Sequence, residues 1–128
     1  MPSDTHNRIN GYRDLFVFKK ARELANETIR ITDQFPKSEL YGTVSQMRRA
    51  ALSIPSNIAE GYRRFSRQEY VRFLRIAYGS CGELDAQLLV ASDARWIDEE
   101  SFRHMEKHID EVSGLLWKLI ESLKKQQP

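Results

Sequence analysis

The sequence predicts an all-α fold, an antiparallel up-down-up-down four-helix bundle, and three observations carry that prediction. Apolar residues recur in alternating steps of 3 and 4 through four separate segments, the spacing of one helix face in coiled-coil-like packing. Chain breakers are scarce, with 6 glycines and 4 prolines among 128 residues. The connectors between periodic segments are short, which forces neighbouring helices to run in opposite directions. No stretch sustains the period-2 alternation of a strand.

The first segment carries Val17, Ala21, Leu24, Thr28, Ile31 and Phe35. Asp14 is the expected N-cap, because its carboxylate can accept from orphan amides of the first turn, and Pro36 is the expected stop. The second carries Leu40, Val44, Met47, Ala51, Ile54 and Ile58 and is expected to end at Gly61 as its C′ residue. Pro55 lies inside this run, so a kink is expected near Ala51 or Leu52, with Asn57 offering local side-chain hydrogen bonds. The third carries Tyr70, Leu74, Ala77, Cys81, Leu84 and Leu88. Ser66 to Glu69 reads as a capping box ahead of it. The fourth carries Phe102, Met105, Ile109, Val112, Leu116, Leu119 and Leu123. Asp98 is its expected N-cap, with Glu99 and Glu100 at its dipole-positive start and Lys124 and Lys125 at its end.

Composition bounds the function. The net charge is +2, with 41% hydrophobic and 30% charged residues. That is too apolar for a disordered chain and too charged for a membrane one. Met1 to Asn10 shows no secretory apolar core, so a soluble cytoplasmic protein is expected, with a tail over 1–13 and one domain over 14–125. One cysteine, Cys81, excludes an internal disulfide and a multi-thiolate metal site. It falls on the apolar stripe and reads as a buried core residue. His104 and His108 share a helix face, but no Glu-x-x-His motif accompanies them, and they read as two exposed polar residues. There is no glycine-rich phosphate loop, nucleophile elbow or inward carboxylate pair. No enzyme activity, metal, cofactor, small-molecule substrate or membrane partner is expected.

The small net charge hides an asymmetry. From Arg48 to Arg75, seven arginines (48, 49, 63, 64, 67, 72 and 75) face only Glu60 and Glu69. From Glu83 to Glu111, nine acids face three bases. Arginine binds phosphate bidentately and stacks on bases. Tyr62, Phe65 and Tyr70 are interleaved with the arginines, the mixture a single-stranded nucleic-acid surface uses. Arg48, Arg63, Arg64, Arg67, Arg72 and Arg75, with Tyr62 and Phe65, are therefore the candidate nucleic-acid contacts. A solvated turn whose bases meet an acidic partner is the alternative.

A second stripe lies on the back of the second helix: Gln46, Arg49 or Ala50, Ser53, Asn57 and Glu60. It should point away from the chain's own core, yet it is largely small and neutral. On the third helix Ile76, Gly79, Gly82 and Ala86 also leave the core line, and Trp117 and Ile120 flank it on the fourth. Mid-helix glycine costs ~1 kcal/mol against alanine, which suggests close approach of another backbone. Gln46, Arg49, Ser53, Asn57, Glu60, Ile76, Gly79 and Gly82 form a candidate oligomer interface. A wide core within one chain is the other reading.

The run Gln46-Met47-Arg48-Arg49-Ala50-Ala51-Leu52-Ser53-Ile54-Pro55-Ser56-Asn57-Ile58-Ala59-Glu60-Gly61 resembles the four-helix-bundle proteins encoded within intervening sequences of bacterial 23S ribosomal RNA genes. Tyr12 to Leu15, Phe35 to Gly42, Phe73 to Ser80 and Glu83-Leu84 extend the resemblance, and the fourth helix follows it more loosely. It implies an antiparallel bundle assembled as a ring-shaped homopentamer, with Gln46, Arg49, Ser53, Asn57 and Glu60 in the interface. The accessory proteins of diversity-generating retroelements, which bind nucleic acid and a reverse transcriptase, are distant relatives. The resemblance implies no catalytic residue. The function it favours is RNA or other nucleic-acid binding, the alternative a protein–protein scaffold.

Overall fold

A computed structural model gives the structure and describes residues 9–126. A 3₁₀ turn at Tyr12–Asp14 leads into α1 (Phe16–Thr32). A second 3₁₀ turn at Lys37–Glu39 and a π-helical turn at Leu40–Val44 lead into α2 (Ser45–Tyr62). α3 (Arg67–Asp93) and α4 (Glu99–Lys125) complete the bundle. At ~1.5 Å per residue, each of these 27-residue helices is about 40 Å long.

Pair contacts run in opposite register at every neighbouring interface, so each helix is antiparallel to the next. Arg48 reaches Thr32 near the start of α2. Ser53 meets Ser80, while Gly61, later in α2, meets Phe73, earlier in α3. Tyr78 meets Trp117 and Arg67 meets Gln126. α4 closes onto α1 through Glu27 with His104 and His108, and through Lys20 with Glu111.

The predicted stripes supply most of the core. Leu24, Met47, Ile54, Ile58, Leu74, Leu84, Leu88, Met105 and Leu116 are completely buried. Thr28 and Thr32 are buried with them, each hydroxyl donating back to a carbonyl four residues earlier. Cys81 is buried as expected, and burial pushes its thiol from 9.0 up to about 11.

Several ends differ from the sequence reading. Asp14 does not cap α1; it sits in the preceding 3₁₀ turn and accepts from the Asn10 amide at 2.9 Å. α1 stops at Thr32, before Pro36, because Asp33, Gln34 and Phe35 already close a turn onto its last carbonyls. Leu40 leaves the core and is exposed, since the non-helical backbone at Gly42 (φ −111°, ψ −105°) rotates the π turn out of phase with α2. α2 runs as one helix through Pro55, and non-helical backbone in this region falls at Gly42, ahead of α2. Asn57 does hydrogen-bond locally, donating to the Ser53 carbonyl at 2.8 Å.

Gly61 is not a C′ residue. It lies inside α2, and a Cβ there would sit 2.8 Å from the Phe73 Cβ. Close helix approach, rather than a left-handed turn, requires glycine at this position. Ser66 caps α3 by accepting from the Glu69 amide, but Glu69 pairs with Arg72 instead of reaching back. Asp98 caps α4 through the Ser101 amide at 2.8 Å. α3 ends in a Schellman motif, with Trp96 N–H bonded to the Ala91 carbonyl and Arg95 N–H to that of Ser92. Arg95 takes the left-handed position there, φ 63°.

The tail expected over 1–13 lies outside the described residues through position 8, as does His6. Tyr12 already packs on the bundle, its ring edge-on to Phe18 at 4.9 Å.

Candidate nucleic-acid interface

The antiparallel order gathers three segments at one end of the bundle: the turn before α1, the α2–α3 connector and the last turn of α4. The absence of a side chain at Gly61 lets the first turns of α3 close onto α2. Phe73 is thereby brought beneath the connector. The Arg64 guanidinium lies 4.8 Å from its ring centroid and that of Arg72 4.5 Å. Two cations share one aromatic ring, an attraction to its π face that fixes both side chains.

The seven arginines are not equivalent. Arg64 pairs with Glu60 at 2.7 Å. Arg72 makes a two-pronged pair with Glu69 at 3.1 and 3.2 Å. The hydrogen bonds with Arg72 hold the Glu69 carboxyl below its ordinary range and push Arg72 up. Arg67 donates to the Gln126 carbonyl at 2.8 Å, tying the connector to the end of α4. Arg63 and Arg75 are exposed, and their side chains make no ion pair or hydrogen bond among the described residues. Arg48 departs from the expected cluster. It starts α2 at the far end, where it donates to Thr32 Oγ1 and the Ile29 carbonyl and pairs with Asp33. Fifteen helical residues at ~1.5 Å each place it roughly 22 Å from Arg63. Arg49, also at that end, lies in an apolar groove with Leu40, Tyr41 and Leu52.

The aromatics divide similarly. Phe65 is fully exposed at the tip of the connector. Tyr62 is half-buried and edge-on to Tyr70 at 5.9 Å, and burial pushes the Tyr70 hydroxyl from 10.0 up to about 12. Sequence reasoning missed Tyr12 and Arg13, which line a cleft of about 740 Å³ with Asp14, Tyr62, Arg63 and Phe65. Only the fold brings the chain start to the second connector. The acidic run does not share this end. Asp93, Asp98, Glu99 and Glu100 sit at the opposite connector, and the other acids spread along α3 and α4.

The stripe on α2 also divides. Gln46, Arg49 and Glu60 are exposed, whereas Ser53 and Asn57 turn toward α3. Ser53 Oγ lies 2.8 Å from Ser80 Oγ and accepts from Asn57 at 2.9 Å; Ser80 in turn bonds the Ile76 carbonyl. The expectation that the whole stripe points away from the chain's own core is thus corrected at these two positions and at Ala50, which is buried in the core. α2 packs against both α1 and α3, so it buries a wider arc than one core stripe. On α3, Ile76 is 42% exposed, and Gly79 and Gly82 have nothing within 4 Å of a would-be Cβ. Leu89, Val90 and Trp117 are exposed as well.

The histidines are not a pair of exposed polar residues. His108 is only 12% exposed at its side chain and its Nδ1 lies 2.7 Å from Glu27 Oε1. His104 Nε2 lies 2.8 Å from Glu27 Oε2. Their spacing was visible in sequence; Glu27, buried beside Thr28 on α1, was not. Among the described residues no group of three or more His, Cys, Asp or Glu is arranged to hold a metal ion. No helix among them is long and apolar enough to cross a membrane.

The family model described as 23S rRNA-intervening sequence protein matches residues 13–118. A similar solved structure is the crystal structure of a protein of unknown function from the S23 ribosomal protein family of Bacteroides thetaiotaomicron. It is 22% identical, with a TM-score of 0.74, covering 81% of this chain and 97% of that one. At that identity the likeness shows the fold alone. No curated relative matches the chain.

Proposed function

The chain belongs to the 23S rRNA-intervening sequence protein family, and from that premise we propose that it is a non-enzymatic, cytoplasmic RNA-binding protein acting as a ring-shaped homo-oligomer, a pentamer. The observation that carries the reading is the segregation of charge along the bundle. Arg63, Arg64, Arg67, Arg72 and Arg75 cluster with exposed aromatic surface at one end, and the acidic connector lies at the other. An approaching polyanion therefore meets the cationic end without facing the acidic connector. In the assembly, the exposed Ile76, Gly79 and Gly82 face of α3 meets a neighbouring subunit. Identical cationic ends on each subunit raise the effective concentration for one long strand.

The test is salt-dependent binding of the purified protein to RNA, DNA and heparin. Each neutralised phosphate contributes a slope of ~0.7 in log affinity against log salt for single strands. The Arg63→Ala, Arg64→Ala, Arg67→Ala triple variant should lower that slope by about two. A protein–protein scaffold is the second reading, favoured by the intramolecular engagement of Arg64, Arg67 and Arg72. It predicts little RNA binding at physiological salt and an unchanged slope in the triple variant.

A further inference from the structure

We infer that the cleft between the turn before α1 and the α2–α3 connector is a pocket for one unpaired base of single-stranded RNA; the inference rests on the nucleic-acid reading above and names the form of RNA it takes. The cleft, about 740 Å³, is large enough for a base with its sugar. Its walls carry three aromatic rings, Tyr12, Tyr62 and Phe65. Two of them are held in place from behind: Tyr12 by Phe18 at 4.9 Å and Tyr62 by Tyr70 at 5.9 Å. A ring fixed before binding loses little entropy when a base stacks on it. Phe65 has no such backing and is fully exposed, so its ring is open to a stacking base.

The charges sort which part of a nucleotide goes where. Asp14 is one of the residues lining the cleft, and its Oδ2 accepts from the amide of Asn10, another lining residue. A phosphate inside would be repelled by that carboxylate. A base is neutral, and its exocyclic amine can donate to the carboxylate. Arg13, Arg63 and Arg64 line the same cleft; Arg64 is paired with Glu60, while the side chains of Arg13 and Arg63 make no ion pair or hydrogen bond among the described residues, leaving both guanidinium groups available to the flanking phosphates. Aromatic walls, one carboxylate and two unengaged guanidinium groups fit a splayed base between two phosphates. They do not fit duplex RNA, whose bases are stacked on one another and unavailable.

The experiment compares a short single-stranded RNA carrying 2-aminopurine with the same strand in a blunt duplex, using the full chain. The wild type should favour the single strand and change the 2-aminopurine fluorescence on binding. Phe65→Ala, which removes no buried contact, should weaken single-strand binding about five- to a hundredfold and leave duplex binding unchanged. Its salt slope should match the wild type, because no charge is removed. Tyr62→Leu should act in the same direction. Equal affinity for the two RNAs, or single-strand affinity within twofold of wild type in Phe65→Ala, overturns the pocket. The reading of an RNA-binding end survives that result if the arginine triple variant still flattens the slope. Absence of binding to either RNA overturns both.

Discussion

Three of the glycines inside helices of this bundle, replaced one at a time with alanine, separate helix propensity from packing. Gly61 is in α2, Gly79 and Gly82 in α3. Alanine stabilises a helix interior by ~1 kcal/mol over glycine, partly by restricting the unfolded chain. At Gly79 and Gly82 nothing lies within 4 Å of the added methyl, so that gain is unopposed within one chain. At Gly61 the methyl would sit 2.8 Å from Phe73 Cβ, 3.1 Å from Tyr70 Cδ1 and 3.2 Å from the Tyr70 carbonyl oxygen. The last is backbone and the first is anchored to it, so neither yields cheaply. Overpacking of this kind costs roughly 1–3 kcal/mol, which offsets or exceeds the propensity gain. With an unfolding entropy of about 2.1 cal/mol/K per residue over 128 residues, 1 kcal/mol corresponds to about 4 °C in Tm. Gly79→Ala and Gly82→Ala should each raise Tm by up to about 4 °C in dilute protein, while Gly61→Ala should leave it unchanged or lower it by up to about 8 °C. Thermal unfolding followed by circular dichroism at several protein concentrations reads both effects. If a neighbouring subunit covers Gly79 and Gly82, the gain shrinks or reverses as concentration rises. A Gly61→Ala variant stabilised as much as Gly79→Ala would refute the assignment of Gly61 to helix contact.

Glu27→Ala should destabilise by about 1–3 kcal/mol, because the largely buried His108 loses its partner, and His108→Ala should cost more than the exposed His104→Ala; equal losses in the two histidine variants would contradict the geometry. At low pH, the amide of Ser101 holds Asp98 below its ordinary 3.8, and Arg72 holds Glu69 below 4.5. Their contributions are complete above those values and disappear as pH falls through the lower folded-state ones, so the stability difference between wild type and Asp98→Asn should vanish in strong acid. At high pH, burial raises Cys81 from 9.0 to about 11 and Tyr70 from 10.0 to about 12, so stability should be intact below pH 9.0 and fall as pH rises toward 12. Cys81→Ala should remove the earlier part of that alkaline loss, and an unchanged alkaline profile would count against thiol burial as its cause. For assembly, Gly79→Leu and Ile76→Glu alter exposed positions and should shift the mass seen by light scattering toward monomer. A wild type that is already monomeric at micromolar concentration defeats the ring.

The fold class and most of the core are legible in the order of the amino acids. A helix exposes its periodicity directly, and the 3–4 alternation named Leu24, Met47, Ile54, Leu74, Leu84, Met105 and Leu116, all of them buried. Local chemistry was equally legible where a cap depends on one side chain and a nearby amide, as at Ser66 and Asp98. What the sequence could not decide were relations between segments distant in the chain. Gly61 looks like a helix terminator until Phe73 is placed against it. Arg48 counts with the other arginines in sequence, yet α2 carries it to the opposite end of the bundle. Ser53 and Asn57 look like a free face until α3 closes over them through Ser80. Glu27 carries no spacing signal, since only the return of α4 along α1 brings two histidines to it. The cleft of Tyr12 and Tyr62 depends on antiparallel order, which sets the start of α1 beside the end of α2. Periodicity is a property of one helix and is written locally; partners across an interface follow from which helices pack and how closely, and only the three-dimensional arrangement fixes that.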